Sequence, residues 1–233
     1  MKQRHTLHVD KKEKVMKFVK RVLAIMGFAG VLAVFAVETL VAQAANSEAT
    51  YKAELSSLNE MTTGSKASGE ATFTISGDQL TILVTAKGVP PNMEHLQHFH
   101  GFVKGDRTSR CPTARDDKNG DGIIDMVETE PVAGTTMVPL HDDPVSMAIV
   151  NDTYPTAGAD GSYSYEKTVS LKSLKAAFTK KFPGQRLDLD RRVVFLHGVP
   201  PATKLPVTVA SLDHIPAQVT LPIACGKIKK VMN

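Results

Sequence analysis

Beyond its N-terminal segment, the chain lacks any excess of basic charge. The whole sequence has a formal net charge of +4 and a pI of about 9.0. Residues 1–44, however, contain 8 of the 28 Lys and Arg residues and only 3 of the 24 Asp and Glu residues. The remaining 20 basic and 21 acidic side chains leave residues 45–233 close to a charge of −1. Because nucleic-acid binding needs a basic face, this balance excludes nucleic acid as a predicted partner.

The basic residues of the N-terminal segment precede an apolar run over residues 22–37, as in a signal peptide. Ala42-Gln43-Ala44 supplies small residues at the −3 and −1 positions of a signal-peptidase site. Met16 is an alternative start, because a complete positive n-region follows it. A retained anchor is the alternative to cleavage, since the apolar run continues past Glu38 and approaches spanning length. The cleavage site and the lack of a positive flank predict a signal peptide over residues 1–44, export to the periplasm or outside, and no stable membrane span after cleavage.

Cysteine is scarce, with two residues in the whole chain, Cys111 and Cys225. Both lie in the part predicted to be exported, and in an oxidising compartment an even pair this far apart favours a disulfide. Closing so long a loop contributes about 4–5 kcal/mol in the chain-entropy model. Two free buried thiols are the alternative.

Alternating apolar and polar residues predict a chain built mainly from short strands. Residues 79–86 place three aliphatic side chains on one face, and a Ser76-Gly77-Asp78 turn before them completes a hairpin. Residues 191–197 place two apolar side chains and His197 on one face of another strand. The remaining predicted strands cover residues 51–55, 71–75, 162–170, 207–210 and 218–224.

One helix and one long insertion interrupt these strands. A helical stripe of Leu and Phe side chains, with Ser170 as N-cap and Pro183-Gly184 as stop, predicts a short helix over residues 171–182. Residues 103–160 have no predicted strand, and so long a connection is uncommon unless it is functional. The pattern predicts an all-β fold, a β-sandwich or barrel, as a single domain over residues 45–233.

Within the insertion, residues 117–128 match the twelve-residue calcium loop of the EF-hand, and we call them the acidic loop. Short oxygen-bearing side chains at alternate positions converge on one ion, a glycine allows the turn, and the last glutamate binds through both oxygens. Pro112 and Pro131 exclude long flanking helices. We therefore predict a calcium ion that stabilises the insertion, which we call a structural staple, rather than a calcium sensor. A polar turn that binds nothing is the alternative. The predicted calcium ligands are Asp117, Asn119, Asp121, the carbonyl of Ile123, Asp125 and Glu128.

Two histidines, His98 and His100, alternate on one predicted strand and therefore share a face. Two imidazoles on one rigid strand suit a core poorly unless a metal or a polar network satisfies them. Since imidazole binds copper, zinc and iron, we predict a transition-metal site there, with hydrogen-bonded or solvated rings as the alternative. His197 is the predicted third ligand and His141 the fourth candidate. The other histidines after residue 44, predicted to be solvated, are His95 and His214.

In this order the motifs resemble those of the copper/zinc superoxide dismutases, over roughly residues 50–228. The matching motifs are His98-x-His100-x-Phe102, then Cys111, then His197 at the end of a valine-rich strand, then Ala224-Cys225-Gly226-Lys227-Ile228. In that family the first motif gives two copper ligands, the later strand gives another, and the two cysteines pair. The resemblance implies copper at His98, His100 and His197, a disulfide between Cys111 and Cys225, and a Greek-key β-sandwich or barrel.

Two departures from the family pattern bear on activity. The family places a bridging histidine and zinc ligands between the first cysteine and the last copper histidine, whereas this interval holds only His141 and the acidic loop. Pro222 stands where the family has an arginine that helps to hold the anionic substrate. A nearly neutral chain offers little field to compensate. A looser resemblance links the chain to CHRD-type exported domains, which carry a similar histidine-containing strand.

These patterns predict an exported metal-binding β-domain with one structural calcium loop and a copper-type histidine cluster. It is dismutase-like, with weak or no dismutase activity. One alternative is an active copper-only superoxide dismutase. Another is a calcium-stapled structural or interaction domain without a transition metal. The predicted partners are metal ions, calcium and in the first two cases copper, and no protein partner is indicated.

Overall fold

The computed structural model describes residues 48–105, 107–149, 152–212 and 215–232, and this part of the chain is built on nine strands. The predicted signal peptide and its cleavage site lie outside the described residues, as does His214. The strands are β1 (Ala49–Ser57), β2 (Ser68–Ser76), β3 (Gln79–Lys87), β4 (Gln97–Gly101), β5 (Thr135–Pro139), β6 (Ser162–Ser170), β7 (Val193–His197), β8 (Pro222–Lys227) and β9 (Lys229–Lys230).

Helices are few and short. The α-helices are α1 (Glu60–Thr63), α2 (Met126–Ala133), α3 (Leu171–Lys181) and α4 (Ala217–Thr220), and single 3₁₀ turns cover Ala114–Asp116, Pro144–Ser146 and Leu189–Arg191. None of the helices in the described part has the length and apolarity needed to span a bilayer. The predicted mainly-β class is therefore confirmed, with more short helices than the one expected.

All strand pairs are antiparallel, in the order β5-β4-β7-β8-β1-β2-β3-β6, with β9 against β1. The sheet curls into a half-barrel around β1, because residues 49–55 pair with β2 while residues 56–57 pair with β8. The rings of Phe73 and Phe99 meet edge to face at 6.3 Å and connect β2 with β4 across the interior. The two halves of the sheet thus share one core.

The predicted hairpin and helix are present. β2 and β3 join at Gly77, whose φ of +58° suits glycine in a tight turn. In β3 the aliphatic side chains at every second position are buried and the residues between them are more exposed, as period two requires. The hydroxyl of Ser170 caps α3 by accepting a hydrogen bond from the amide of Ser173, and Phe178 is one of the helix residues buried in the core.

β4 and β7 are buried on both faces, in contrast to β3. Phe99 and Leu196 point into the main core. Residues 109–134, which we call the cover segment, contact the opposite face. Ala133 of this segment packs against Phe195, and the disulfide between Cys111 and Cys225 ties the segment to β8 with a Cα–Cα distance of 5.8 Å. The outer face of the β4–β7 pair is therefore a second, smaller interior.

One strand appears where none was predicted. Residues 103–160 were expected to lack strands, yet β5 lies within them and pairs with β4. Its five residues are too few to show a clear alternation, and Gly134 and Pro139 at its ends read as loop signals. Its pairing partner lies far away in sequence, so only tertiary structure reveals it.

Two strand predictions near the C-terminus are wrong. Residues 207–210, expected as a strand because of their β-branched residues, begin with a turn in which the amide of Val209 bonds to the carbonyl of Pro206. Val207 is fully exposed, so it has no core to face. Of the strand predicted at residues 218–224, only the part from Pro222 onwards is extended, since α4 precedes it.

Candidate metal centre

Three histidines lie together on the outer face of the sheet, and we call His98, His100 and His197 the histidine trio. Each supplies one ring nitrogen to a group whose members all lie within 4.8 Å of one another. Within the described ranges, no other set of three or more His, Cys, Asp or Glu side chains meets that distance. The ring centroids are 4.9 Å apart for His98 and His100, 4.5 Å for His98 and His197, and 6.1 Å for His100 and His197.

Strand register brings these rings together. His98 pairs with Phe195 and His100 with Val193 across the antiparallel β4–β7 ladder, so these side chains share one face with His197. The ring of Phe195 lies 4.6 Å from that of His100 and 5.7 Å from that of His197, which fills the space beneath the trio. The period-two argument from the sequence therefore leads to the observed placement.

Burial keeps the trio uncharged. His98 is 3% exposed, and His100 and His197 are each 1% exposed. Desolvation lowers the pKa of His100 to about 3 and that of His197 to about 4, and it lowers the pKa of His98 well below its usual value, with the neighbouring rings adding to the effect for His98 and His100. All three imidazoles are neutral at pH 7 and keep a lone pair that a metal ion can use.

Backbone carbonyls fix which nitrogen carries that lone pair. His100 Nδ1 lies 2.9 Å from the carbonyl oxygen of Gly134, and His197 Nδ1 lies 2.6 Å from that of Thr220. Because a carbonyl only accepts, each Nδ1 must be the protonated donor, which leaves Nε2 as the basic atom. His197 Nε2 is buried and has no hydrogen-bond partner. Such carbonyl contacts are the usual way in which proteins orient metal-binding imidazoles.

The nitrogens of His98 and His100 are spaced as two ligands of one ion would be. His98 Nδ1 lies 3.1 Å from His100 Nε2. Two nitrogens bound at the usual zinc–imidazole distance are separated by about 2.9–3.4 Å, depending on the angle at the metal. The Thr136 hydroxyl also lies 3.2 Å from His100 Nε2 and is the other polar group at this atom. The donor set therefore fits a small transition-metal ion.

His141, the fourth candidate ligand, does not join the trio. It is buried, but its Nε2 lies 2.7 Å from the carbonyl of Ala148 and its Nδ1 accepts a hydrogen bond from the amide of Asp143. Its ring meets Tyr154 edge to face at 5.0 Å. Both ring nitrogens are thus engaged with the backbone, which gives His141 a structural role in its own loop.

The prediction that His95 is solvated is wrong. The side chain is completely buried, with Nδ1 3.0 Å from the carbonyl of His197 and Nε2 2.8 Å from that of Pro90. Its ring stacks on Tyr163 with centroids 6.0 Å apart. The two carbonyls that lie beside its ring nitrogens belong to residues that are distant in sequence from one another, so the loop position of His95 did not reveal its burial.

The acidic loop folds around its own backbone. The Asp117 carboxylate accepts hydrogen bonds from the amides of Gly120 and Gly122, and Glu128 Oε1 accepts from the amide of Lys118 at 2.6 Å. Asp125 is the N-cap of α2 and forms a capping box with Glu128. These carboxylates do not form a closed ligand group of the kind found in the trio, so calcium binding at the loop stays a prediction.

An ion pair precedes the acidic loop, and a short helix forms its end. Before it, Arg110 makes two hydrogen bonds of 2.8 Å to Asp116, and this guanidinium lowers the pKa of the Asp116 carboxyl. At the end of the loop, α2 begins at Met126, contains Pro131 and ends at Ala133 after two turns, with Gly134 as its C-cap. The short helix agrees with the expectation that prolines exclude long flanking helices.

Several residues of the site were not found from the sequence. Gly134 and Thr220 orient the trio through their carbonyls, which every residue carries, so no residue type signals this role. Asn59 contacts the acidic loop through its side-chain amide, and its only sequence signal is that asparagine tolerates the left-handed conformation it adopts.

The disulfide indicates an oxidising compartment, in agreement with predicted export. Comparison of the chain with models of known protein families and with the curated proteins found no match. The resemblance to the superoxide dismutases accordingly stays a prediction.

Proposed function

We propose that the protein is an exported metal-binding β-domain whose histidine trio holds one copper ion. Its architecture would be of the Greek-key dismutase type, and its dismutase activity weak or absent. The observation that carries the proposal is the presence of three buried, neutral imidazoles, one of which has a basic nitrogen without any partner. Leaving such an atom unpaired in the interior costs about 1–3 kcal/mol, a cost that a bound ion removes.

The donor set favours copper among the divalent ions. Imidazole suits copper, zinc, nickel and iron, and copper(II) binds a given nitrogen site most tightly of the first-row divalent metals. Bound copper would supply one-electron redox chemistry. The chain's contribution is to hold three nitrogens in place through Gly134 and Thr220 and to exclude water from them.

Two features argue for metal binding rather than superoxide turnover. Pro222 is the direct strand partner of His197. The position at which the superoxide dismutases have their arginine therefore lies next to the trio but carries no charge. The trio is also no more than 3% exposed at any member, which leaves an anion from solvent little access. Both features reduce electrostatic attraction and entry of a small anion.

We also propose that the acidic loop binds one calcium ion as a structural staple. The spacing of its six predicted ligands supports this, as does α2, which begins directly after Asp125 and places Glu128 in its first turn. The positive φ angles of Gly120 and Gly122, +74° and +81°, allow the loop to turn back on itself.

The test of the copper site is metal binding by purified residues 45–233. We expect about one copper per chain, and His197→Gln should weaken copper binding by more than about 100-fold, since it removes a ligand rather than a ligand's supporting contact. The matched control is His141→Gln, which changes an equally buried histidine outside the trio and should keep full copper binding. Competition titration with a chromophoric chelator measures both affinities.

Three results separate the candidate functions. Copper bound by the wild type and lost in His197→Gln, with superoxide decay no faster than with the same copper in buffer, supports the proposal. Rapid superoxide decay by the loaded protein would replace it with an active copper-only dismutase. Calcium binding without copper would leave a calcium-stapled structural domain.

A further inference from the structure

A single side-chain amide, that of Asn59, links the acidic loop to the strand beside the histidine trio. Asn59 lies between β1 and α1 in the left-handed conformation, with φ 58° and ψ 22°. Its Nδ2 donates to the carbonyls of Ile124 and Pro222, both at 2.9 Å, and its Oδ1 accepts from the amide of Ile124 at 2.8 Å. The half-buried amide therefore bonds to the N–H and the carbonyl of Ile124 in the loop, and to the carbonyl of Pro222 at the start of β8.

Pro222, the β8 residue that Asn59 contacts, lies beside His197. Pro222 is the strand partner of His197, and the carbonyl of Thr220, two residues earlier, accepts the Nδ1 proton of His197. The amide of Leu58 bonds to the carbonyl of Ile223 at 2.8 Å, next to the Asn59 contact. Fixing Pro222 consequently fixes the carbonyl that aims the His197 ring.

A second set of hydrogen bonds connects the acidic loop to Thr220. Asp125 Oδ2 accepts the amide proton of Ala210 at 2.6 Å, and the neighbouring Ser211 hydroxyl lies 2.8 Å from that of Thr220. On the other side, the loop continues through α2 to Gly134, whose carbonyl orients His100. The two residues whose carbonyls orient the trio are thus connected to the acidic loop, Thr220 through its hydroxyl and Ser211, and Gly134 along the chain.

We propose that Asn59 is a positioning residue that couples the arrangement of the acidic loop to the direction of the His197 ring. The role needs a side chain that donates two hydrogen bonds and accepts one in a residue that tolerates positive φ, and asparagine meets all of these conditions. The inference rests on the proposed function, in that the ring it aims is a proposed copper ligand. It makes the trio sensitive to changes in a loop that supplies none of its ligands.

The test is Asn59→Gly with Asn92→Gly as matched control. Asn92 is the other described asparagine at positive φ, 56°, and its side chain is exposed. Glycine keeps the backbone conformation at both positions and removes only the amide. We expect Asn59→Gly to weaken copper(II) binding about 10-fold or more, as loss of a supporting contact does, and to shift the visible absorption band of bound copper. Asn92→Gly should do neither.

A metal-free measurement makes the inference independent of copper binding. In ¹⁵N-labelled protein without metal, Asn59→Gly should shift the ring-nitrogen signals of His197, because its carbonyl partner moves, while the signals of His141 stay in place. A variant that is merely less stable would lower the unfolding midpoint and leave the ring signals of the folded protein unchanged, which overturns the inference.

The two failures are distinguishable. If the wild type binds no copper, the proposed function is lost, and the His197 ring signals still decide whether Asn59 positions that ring. If the wild type binds copper and Asn59→Gly binds it with the same affinity and the same spectrum, the proposed function stands and Asn59 has no positioning role.

Discussion

The histidine trio and the acidic loop are candidate cation sites built in opposite ways. The trio draws its ligands from β4 and β7, which are distant in sequence, and strand register holds their nitrogens within 4.8 Å of one another. The acidic loop has all its candidate ligands within twelve residues, yet its carboxylates bond to neighbouring backbone amides. The paired strands bring three nitrogens together without an ion, whereas local spacing in the acidic loop does not bring its oxygens to one point.

The two regions also differ in how they meet solvent. The trio is buried, and the described hydrogen-bond partners of its ring nitrogens are two backbone carbonyls, a neighbouring ring and the Thr136 hydroxyl. The acidic loop is partly exposed, since Asn119 and Gly120 face solvent while Asp125 and Glu128 are buried. Asp121 has a lowered pKa chiefly because the Thr208 hydroxyl donates a hydrogen bond to it. Acid should therefore act on the trio from about pH 6.5 downwards and on Asp121 only below about pH 4, whereas calcium should act on the acidic loop.

The largest effect should follow from separating the two regions. The disulfide joins Cys111, at the entrance to the acidic loop, to Cys225 on the face that carries the trio. Replacing both cysteines with serine should lower the free energy of unfolding by about 4–5 kcal/mol, because the bridge closes a very long loop in the unfolded chain. Urea unfolding of variant and wild type measures this. A loss near zero would mean that the cover segment stays in place without its bridge.

Acid should destabilise the trio specifically. The trio's histidines titrate near pH 6.5 when unfolded but have lowered pKa values when folded, about 3 for His100 and about 4 for His197. The unfolded chain therefore binds more protons below pH 6.5. Stability is full above that pH and is lost as pH falls, by about 2 kcal/mol per histidine at pH 5.

Metal-free protein should accordingly unfold at lower urea concentration at pH 5 than at pH 7. The matched variant is His100→Gln, which removes one titrating ring and should make the pH dependence shallower by that histidine's share. Identical slopes for the two proteins would show that this ring is protonated in the folded state, against the burial that lowers its pKa.

The smallest effect should come from the acidic loop alone. Glu128→Gln should weaken calcium binding by about 10-fold or more, since it removes a charge and a bidentate ligand, and should make residues 112–131 more sensitive to trypsin. The control is Glu130→Gln on the same helix, where the side chain is exposed. Calorimetric titration measures calcium affinity. Equal affinities, or digestion that is the same with and without chelator, would count against a staple.

Local patterns allowed prediction of the hairpin, α3 and the shared face of His98 and His100, because period-two and helical spacing act over a few residues. His197 was predicted as the third ligand from its position near the end of an apolar strand, and the pairing of β4 with β7 is what brings it beside the other two. Pairing across long sequence distances escaped prediction. β5 becomes a strand only beside β4, and residues 207–210 do not become one because nothing lies beside them to pair with.

The same limit applies to the histidines. His95, His141 and the trio are all buried, and neighbouring sequence does not distinguish a ring satisfied by two backbone groups from one with an unpartnered nitrogen. These rings differ in the backbone carbonyls that the fold places beside them. His95 lies beside the carbonyls of Pro90 and His197, whereas the ring of His197 lies beside that of Thr220. Such partners are a property of the whole sheet.

Burial of β4 and β7 on both sides has a kinetic consequence. An ion bound at the trio would exchange slowly with the surroundings, because β4 and β7 are buried on both faces and exchange would require local opening of the structure around them. Binding of an ion would then be fastest in the nascent chain, before the disulfide between Cys111 and Cys225 has formed. A protein charged with its ion at that stage would retain it long after free metal outside had fallen.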